Sequence, residues 1–296
     1  MTTKCPICSS STQLWGKKIS FETEYRIERC KSCDFAFVFP RPDIDFLRRF
    51  YSDPDRNEST RLSASEILRK ETECPNSTID ARRLVSTLRR LLGGYQCNPC
   101  SSLLDIACGY GFFSKEAIAQ GFNVTSLELE PNSAKIAREI SGNPVTCQAF
   151  EEFDWTGSRF DAVIMSQILE HVTDVDQWLN KTCHLLRKGG ILAIAVPNFG
   201  GISRITLQIK DPLVCPPQHI NFFSRRNLTL LLEKHGFSIK RIQWTTRLPT
   251  KTTLEFLGFR RMIPIYNKVR YLPMIGLLDT FHCGMYMSVY GQKDGP

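Results

Sequence analysis

One stretch of the chain, Leu103 to Pro131, limits the possible fold more than any other. It begins with a short apolar run that ends in Asp105, which is typical of a buried parallel strand. Small residues follow, including Gly109 and Gly111, and then an apolar-periodic segment, so the pattern predicts a strand, a tight turn and a helix. A second predicted strand ends in Glu128, 23 residues after Asp105, where a carboxylate can accept hydrogen bonds from both hydroxyls of a ribose. The stretch therefore predicts a nucleoside-binding turn in an α/β fold.

The turn itself reads D-x-A-C-G-x-G, with the acid inside the strand end. In this pattern the chain resembles the class I S-adenosylmethionine-dependent methyltransferases, whose usual form is (D/E)-x-G-x-G-x-G. Ala107 stands at the first glycine position, a change we expect to be tolerated if Ala107 has a negative φ. The resemblance implies a doubly wound, Rossmann-like α/β sheet of seven strands with the last strand antiparallel. It implies S-adenosylmethionine as cofactor, with Phe150 and Glu151 near its adenine. The residues that the resemblance implies in cofactor binding are Asp105, Ala107, Gly109, Gly111, Glu128, Leu129, Phe150, Glu151 and Ser166.

Two CxxC pairs lie near the start of the chain, Cys5 with Cys8 and Cys30 with Cys33, and 21 residues separate them. Four thiolates at this spacing suit tetrahedral zinc. The opening segment is polar and lacks the apolar core of a signal peptide, which indicates a reducing, cytoplasmic location. We therefore predict a structural zinc ribbon over residues 1–42. Two disulfides or unligated thiols are the alternatives.

The remaining chain is expected to form a helical connector over residues 43–78 and a methyltransferase domain over residues 79–296. Within that domain, residues 245–283 are apolar, basic and aromatic, which predicts either a lid over the acceptor or a peripheral membrane contact. Another cysteine pair, Cys97 and Cys100, has no partner pair and is interpreted as a loop. No apolar run approaches ~20 residues, so no membrane-spanning segment is predicted.

The segment SQILEHVTDVDQWLNKTCHLLRKGGILAIAVPN, after the fourth predicted core strand, resembles the ubiquinone-biosynthesis-like branch of the same methyltransferases. In that branch the positions of Gln167, Glu170 and His171 are Glu, Glu and His and can hold a divalent metal. Their i, i+3, i+4 spacing predicts one helical face. Gln167 removes one charged ligand, and the interpretation we favour for Glu170 and His171 is a packed pocket wall.

A second motif, residues 218–224 (QHINFFS), resembles both that branch and the zinc-containing sugar C-methyltransferases, which carry Glu-His at its start. Because Gln218 replaces that Glu, acid–base chemistry would fall to His219, whose ordinary pKa of ~6.5 suits a proton acceptor. We predict His219 as the catalytic base, with Glu170 and His171 as competing candidates. The alternative is a structural histidine bonded to the backbone of the preceding loop, residues 199–217, which is long enough to act as a lid.

Charge distribution limits the remaining functions. The net charge of +8 arises from the two ends of the chain, whereas the predicted core is near neutral. The sequence lacks a dense basic and aromatic face, which argues against nucleic acid as the partner. We predict methyl transfer from S-adenosylmethionine to a small-molecule, sugar-nucleotide or lipid-linked acceptor, by O- or C-methylation. An RNA-modifying enzyme and a non-catalytic cofactor-binding scaffold that docks through the ribbon are the alternatives, and the oligomeric state is open.

Overall fold

The structure, a computed structural model, describes residues 3–53, 55, 58–93, 101–246 and 279–295. The predicted Cys97–Cys100 loop and most of the 245–283 insertion lie outside these ranges. The strands are β1 (Thr12–Ser20), β2 (Thr23–Cys30), β3 (Ala36–Phe39), β4 (Ser102–Ile106), β5 (Asn123–Glu128), β6 (Val145–Cys147), β7 (Phe160–Ser166), β8 (Leu186–Pro197), β9 (Asn221–Phe222), β10 (Phe237–Thr245) and β11 (Tyr286–Lys293). The helices are α1 (Ile44–Ser52), α2 (Ala64–Glu73), α3 (Asn76–Leu91), α4 (Phe112–Ala119), α5 (Pro131–Ser141), α6 (Val175–Leu185), α7 (Ile202–Leu207) and α8 (Arg225–Lys234).

The larger sheet has the strand order β10-β11-β8-β7-β4-β5-β6. Neighbours from β6 to β8 pair in parallel, and β11 pairs antiparallel with both β8 and β10. This confirms the predicted doubly wound sheet of seven strands with the last one antiparallel. The carboxyl ends of β4, β5, β7 and β8 therefore share one edge, which is where open α/β sheets bind their ligands.

The central strands are continuous apolar runs because both faces of the sheet are covered. Residues 162–165 of β7 are fully buried, as are residues 191–194 of β8. On one face α3 packs through Leu84, Val85 and Leu88. On the other face α8 packs through apolar residues of its own. Among the described helices, none is long and apolar enough to cross a bilayer.

The smaller sheet joins the cysteine-rich segment to the rest of the protein. Its order is β1-β2-β3-β9, so its last strand comes from residues 221–222. The Phe35 ring lies 5.3 Å from that of Phe223, and Phe35 and Phe37 belong to the same buried cluster as the interior of β7 and β8. The ribbon is thus packed against the larger sheet. The division of the chain into domains after residues 42 and 78 stays a prediction.

Three local expectations were wrong. Gln167, Glu170 and His171 do not lie on a helix face, because Gln167 has φ 55° and only Leu169–His171 forms a single 3-10 turn. The N–H of Gln167 donates to Ala195 O at 2.7 Å, which keeps the chain bound to β8 where a helix would leave it. The glycine pair at residues 189–190 predicts a turn before the fifth core strand, but these residues form a bulge inside β8. The 199–217 segment, expected to be a loop, contains α7 and a 3-10 turn.

Candidate active site

The turn after β4 has a left-handed backbone at three residues. Ala107, Gly109 and Gly111 have φ of 55°, 55° and 80°. A Cβ at Gly111 would lie 2.9 Å from Ala137 O, so glycine is required for this turn to pack on α5. Around the Cβ position of Gly109 no described heavy atom lies within 4 Å, which lets a ligand approach the backbone.

Ala107 contradicts the expectation of a negative φ. A left-handed alanine costs roughly 1–2 kcal/mol. The next residue anchors the strained backbone, because the N–H of Cys108 donates to Leu127 O at 2.8 Å and its carbonyl accepts from the N–H of Gly111 at 2.9 Å. The sequence shows the unusual residue at this position but not the conformation it adopts.

Glu128 ends β5 directly beside this turn. Its Oε2 accepts a hydrogen bond from the N–H of Gly109 at 2.8 Å, and its Oε1 accepts from the N–H of Glu130 at 3.0 Å. The two carboxylate oxygens offer about four lone pairs in all, so the backbone hydrogen bonds leave acceptor capacity for a ligand hydroxyl. Burial raises the pKa of Glu128, while the hydrogen bonds from the backbone oppose that shift. The next side chain, Leu129, is 53% exposed and offers an apolar surface beside the carboxylate.

Asp105 lies beneath the turn. Its side chain is buried and accepts a hydrogen bond from Ser114 Oγ at 2.6 Å, and Ser114 Oγ lies 2.9 Å from Ser126 Oγ. Burial raises the pKa of Asp105 to about 7, against the effect of the Ser114 bond. The carboxyl therefore ties β4 to the first turn of α4. Neither serine had a motif that could identify it from the sequence.

The adenine candidates follow β6 in the 3-10 turn Phe150–Glu152. The Phe150 ring lies 4.8 Å from that of Trp178, and Glu151 Oε1 accepts a hydrogen bond from Trp178 Nε1 at 2.8 Å. Both side chains thus pack on α6. Ser166, the last residue of β7, is half-buried at the same edge.

The three catalytic candidates form one cluster. Donor atoms of Glu170, His171 and His219 all lie within 4.8 Å of one another, although 48 residues of sequence separate His171 from His219. His219 Nδ1 lies 2.7 Å from Leu213 O. Since a carbonyl can only accept, Nδ1 carries the proton and Nε2 is left with a lone pair. Burial lowers the pKa of His219, which keeps the ring neutral.

His171 is held by a residue of the connector. Its Nδ1 lies 2.7 Å from both Gln218 O and Tyr51 Oη, and Tyr51 donates to Gln218 O at 3.0 Å. Burial lowers the pKa of His171 to about 3. Tyr51 belongs to α1, 120 residues earlier in the chain. Sequence reasoning missed it because the connector carries no motif.

Glu170 is buried to 1% exposure, and among the described residues neither carboxyl oxygen has a hydrogen-bond partner. His171 Nε2 is 4.0 Å from Glu170 Oε1, beyond hydrogen-bond distance. Burial raises the pKa of Glu170 to about 8, so the carboxyl is mostly neutral at pH 7. Gln167, at the first ligand position of the resembling branch, instead donates its side-chain amide to Ala195 O at 3.2 Å. That position therefore does not complete a metal site of the Glu-Glu-His type.

The four ribbon cysteines lie together at the base of β1–β3. Cys5 Sγ is 3.6 Å from Cys33 Sγ, and Cys8 Sγ is 3.5 Å from Cys30 Sγ. These distances exclude disulfides and approach the roughly 3.8 Å expected between sulfurs of a tetrahedral zinc site with ~2.3 Å bonds. The hydrogen bond between Cys5 and Cys33 lowers the pKa of Cys5 and raises the pKa of Cys33, so a metal ion would have to displace the remaining proton of this pair.

Hydrogen bonds connect the ribbon to the catalytic cluster. The N–H of Val38, in β3, donates to Ile220 O at 3.0 Å, and the N–H of Ile220 donates to Glu170 O at 2.8 Å. The guanidinium of Arg41 donates to Val172 O, Thr173 O and Asn221 Oδ1 at 3.1, 2.9 and 2.9 Å. Ile220, which directly follows His219, is thus hydrogen-bonded to the ribbon on one side and to the loop after β7 on the other.

Comparison with known proteins identifies the family of the chain. A family profile described as a methyltransferase domain matches residues 78–241, more than half of the chain. The chain therefore belongs to this methyltransferase family.

Among relatives, the ubiquinone biosynthesis O-methyltransferase of Methylobacterium sp. (strain 4-46) is 33% identical over 102 residues, covering 33% of this chain and 41% of that protein. The human mitochondrial ubiquinone biosynthesis O-methyltransferase is 28% identical over 155 residues, covering 47% and 42%. The chain thus spans about two fifths of the length of these relatives.

Solved structures share the fold. One chain of the complex between the Haloferax volcanii Trm112 methyltransferase activator and a methyltransferase superposes with a TM-score of 0.52 at 13% identity, covering 76% of this chain and 97% of that one. A Listeria monocytogenes chain described as an S-adenosylmethionine dependent methyltransferase gives 0.50 at 16% identity, covering 73% and 99%. At these identities the likeness concerns the fold alone.

Proposed function

We propose that the protein transfers a methyl group from S-adenosylmethionine to a small-molecule acceptor. The observation that carries this proposal is Glu128, whose carboxylate ends β5 beside the open backbone of Gly109 and keeps acceptor capacity beyond its backbone hydrogen bonds. This arrangement suits the two hydroxyls of a ribose, and Leu129 offers an apolar face to the attached adenine. Asp105 supports the turn from below through Ser114. Membership of a methyltransferase family fits a methyl donor in this place.

The chemistry asks little of the protein beyond alignment. The sulfonium of S-adenosylmethionine activates the methyl group, so a lone pair of the acceptor forms the new bond to carbon as the carbon–sulfur bond breaks. Holding donor and acceptor in line supplies most of the rate. The acceptor must lose a proton, and His219 is neutral with a free Nε2 to receive it. His171 and Glu170 pack beside His219, with Glu170 uncharged at neutral pH, so we assign proton transfer to His219.

The atom methylated is the finer part of the proposal. Relatives named ubiquinone biosynthesis O-methyltransferase support transfer to a hydroxyl oxygen. The same base would serve an acidic carbon, because His219 needs only to accept a proton in either case. We further propose that Cys5, Cys8, Cys30 and Cys33 hold one zinc ion with a structural role, since four thiolates leave no open coordination position.

Donor binding is tested by calorimetry with S-adenosylmethionine on the wild type, Glu128→Ala and the matched control Glu139→Ala, an exposed glutamate of α5. Loss of two hydrogen bonds to a charged acceptor costs on the order of 2–4 kcal/mol, which corresponds to a dissociation constant roughly 30- to 1,000-fold larger. The control should bind as the wild type does. An unchanged constant in Glu128→Ala would contradict the assignment.

Transfer itself is tested with methyl-labelled donor and a cell extract separated into sugar, lipid and RNA fractions. We expect label in a small-molecule or lipid fraction, and none with His219→Gln. Label confined to RNA would contradict the proposed acceptor class. Donor binding without label in any fraction would instead favour a non-catalytic scaffold.

A further inference from the structure

We infer that the acceptor carries a phosphate or diphosphate ester, which binds in a pocket between the ribbon and the start of α8. This inference rests on the methyl transfer proposed above and specifies the substrate class of that site. The pocket, which we call the arginine pocket, has a volume of about 500 Å³. Its walls come from the ribbon, the end of β8, the start of α8 and the end of β10, and they include Asp34, Asn198, Arg225, Arg226 and Trp244.

The position of the pocket matches the acceptor side of the sheet. Asn198 directly follows β8, and Trp244 lies at the carboxyl end of β10, which runs parallel to β8 because both pair antiparallel with β11. The arginine pocket therefore opens at the same edge of the sheet as Glu128, but on the other side of β7. The donor would occupy the β4–β5 side, which leaves the β8–β10 side for the acceptor.

The described residues that line the pocket give it a positive charge. Arg225 and Arg226 are exposed into it, and within the described part of the chain neither has an ion pair or a side-chain hydrogen bond. The carboxylate of Asp34 is already paired with Arg29. An exposed arginine pair is usually only solvated, but here both side chains line a concave cavity. Two guanidinium groups match the geometry and charge of a phosphate dianion, whereas one carboxylate would occupy only one of them.

The opposite wall suits the uncharged part of such an ester. The Trp244 ring stacks on His282, with ring centroids 3.8 Å apart and planes 20° from parallel. This presents a flat aromatic surface to a sugar, a base or a lipid chain. The arginines therefore suit an anionic head group of the ligand, and the aromatic wall suits its uncharged body.

A shared residue connects the arginine pocket to the catalytic cluster. Asn198 lines it and also a second, small cavity of about 10 Å³ that borders His219. The Asn198 side chain is fixed, because it donates to Gly284 O at 2.9 Å and accepts from the N–H of Gly200 at 3.0 Å. Asn198 therefore forms the wall between the two cavities, and a phosphate on the arginines would lie on the side of Asn198 opposite the cavity that borders His219.

Direct binding of inorganic pyrophosphate tests the inference. Calorimetry would use the full chain, loaded with zinc and saturated with S-adenosylhomocysteine. The test variant is R225Q/R226Q, and the matched control is K240Q/R241Q, which removes two exposed positive charges from β10 outside the pocket. We expect the dissociation constant for pyrophosphate to rise at least ~10-fold in the test variant and less than ~3-fold in the control. Both pairs are exposed, and thermal unfolding checks that both variants fold.

Further probes identify the source of the phosphate. Uridine diphosphate binding more tightly than pyrophosphate supports a nucleotide-linked acceptor, and farnesyl diphosphate doing so supports a lipid-linked one. No gain with either supports a simple phosphate ester. Malonate binding as tightly as pyrophosphate, no pyrophosphate binding at millimolar concentration, or equal losses in both variants would each overturn the inference. Because these titrations need no turnover, a protein that failed to transfer methyl groups would disprove the proposed function without affecting this result.

Discussion

Replacing Glu170 with glutamine should stabilise the protein at alkaline pH, because this carboxyl is buried without a described hydrogen-bond partner. Burial raises the pKa of Glu170 to about 8 in the folded state, against ~4.3 in an unfolded chain. Between these values the folded protein holds one proton more than the unfolded chain. The contribution of neutral Glu170 is therefore complete below about pH 4, falls as the pH rises and is lost above about pH 8.

The size of the effect follows from the width of that window. Each pH unit inside it lowers the free energy of unfolding by ~1.4 kcal/mol. From about pH 5 to pH 8 the loss approaches ~4 kcal/mol, and relaxation around the ionised group should reduce it to roughly 2–4 kcal/mol. Glutamine is neutral throughout, so the stability difference between E170Q and the wild type should grow by this amount over the same range. The total stability of a domain is only ~5–15 kcal/mol, which makes the change easy to measure.

Urea unfolding of the wild type, E170Q and the control E152Q at about pH 5, 6.5 and 8 measures the difference. Glu152 is an exposed glutamate in a surface ion pair with Arg48, and because such pairs contribute little, its replacement should leave the free energy of unfolding nearly unchanged. The decisive quantity is the slope of the E170Q difference, since the amide adds a constant term of its own. A stability difference that does not grow in favour of E170Q between about pH 5 and pH 8 would refute the reasoning, because it would show that the ionised carboxylate has a cationic partner in the folded protein, such as a divalent metal.

Three further predictions concern the metal, the base and its support. Protein purified without added metal should hold about one zinc per chain. The Cys5→Ser variant should lose this zinc, whereas Cys147→Ser, at an exposed cysteine, should keep it. Metal analysis that finds full zinc in both variants would contradict the predicted zinc site. His219→Gln should lower turnover by ~10²–10⁴-fold with unchanged donor affinity, and near-normal turnover would make His219 a structural residue. Tyr51→Phe removes a hydrogen bond to Gln218 O and should lower turnover several-fold while calorimetry shows unchanged donor binding; an altered donor affinity would contradict this positioning role.

Predictions from the sequence succeeded where the interacting residues are close along the chain. The turn between β4 and α4 and the acid at the end of β5 follow from local patterns, whereas the sheet of seven strands was implied by the family resemblance. Apolar residues at helical spacing also predict a helix from about Ile79 to Leu92, and the structure has this helix as α3, although it begins at Asn76. Apolar spacing identifies which face of a helix is buried, and it is less informative about where the helix starts.

The backbone departures were not predictable in the same way. Gln167 leaves β7 with a positive φ because its N–H bonds to Ala195 O on the neighbouring strand. An i, i+3, i+4 spacing cannot reveal this, because the same residues can form either a 3-10 turn or the first turn of an α-helix. Ala107 likewise adopts a left-handed backbone that the hydrogen bonds around Cys108 hold in place. In both cases tertiary contacts override the local preference.

The candidate site was predictable as a list of residues but not as an arrangement. His219 and His171 could each be identified from a motif, but their contact at a ring distance of 4.9 Å depends on how two loops meet. The support from Tyr51 and the positions of Arg225 and Arg226 had no signal in the sequence. A side chain whose role depends on a partner far along the chain has no local sequence pattern. The structure is therefore most informative at this edge of the sheet, where such contacts meet.

The role of the ribbon follows from its bonds rather than from its metal. A module used only for docking would be expected to join its enzyme through a linker, but here β3 pairs with β9, and Val38 is bonded to Ile220, which is bonded in turn to Glu170. His219 directly precedes Ile220, so the ribbon fixes the backbone of the proposed base. Its buried phenylalanines also share a core cluster with β7 and β8. A four-cysteine zinc site that holds β3 in place would therefore act on catalysis by positioning His219, although no step of the reaction occurs at the metal.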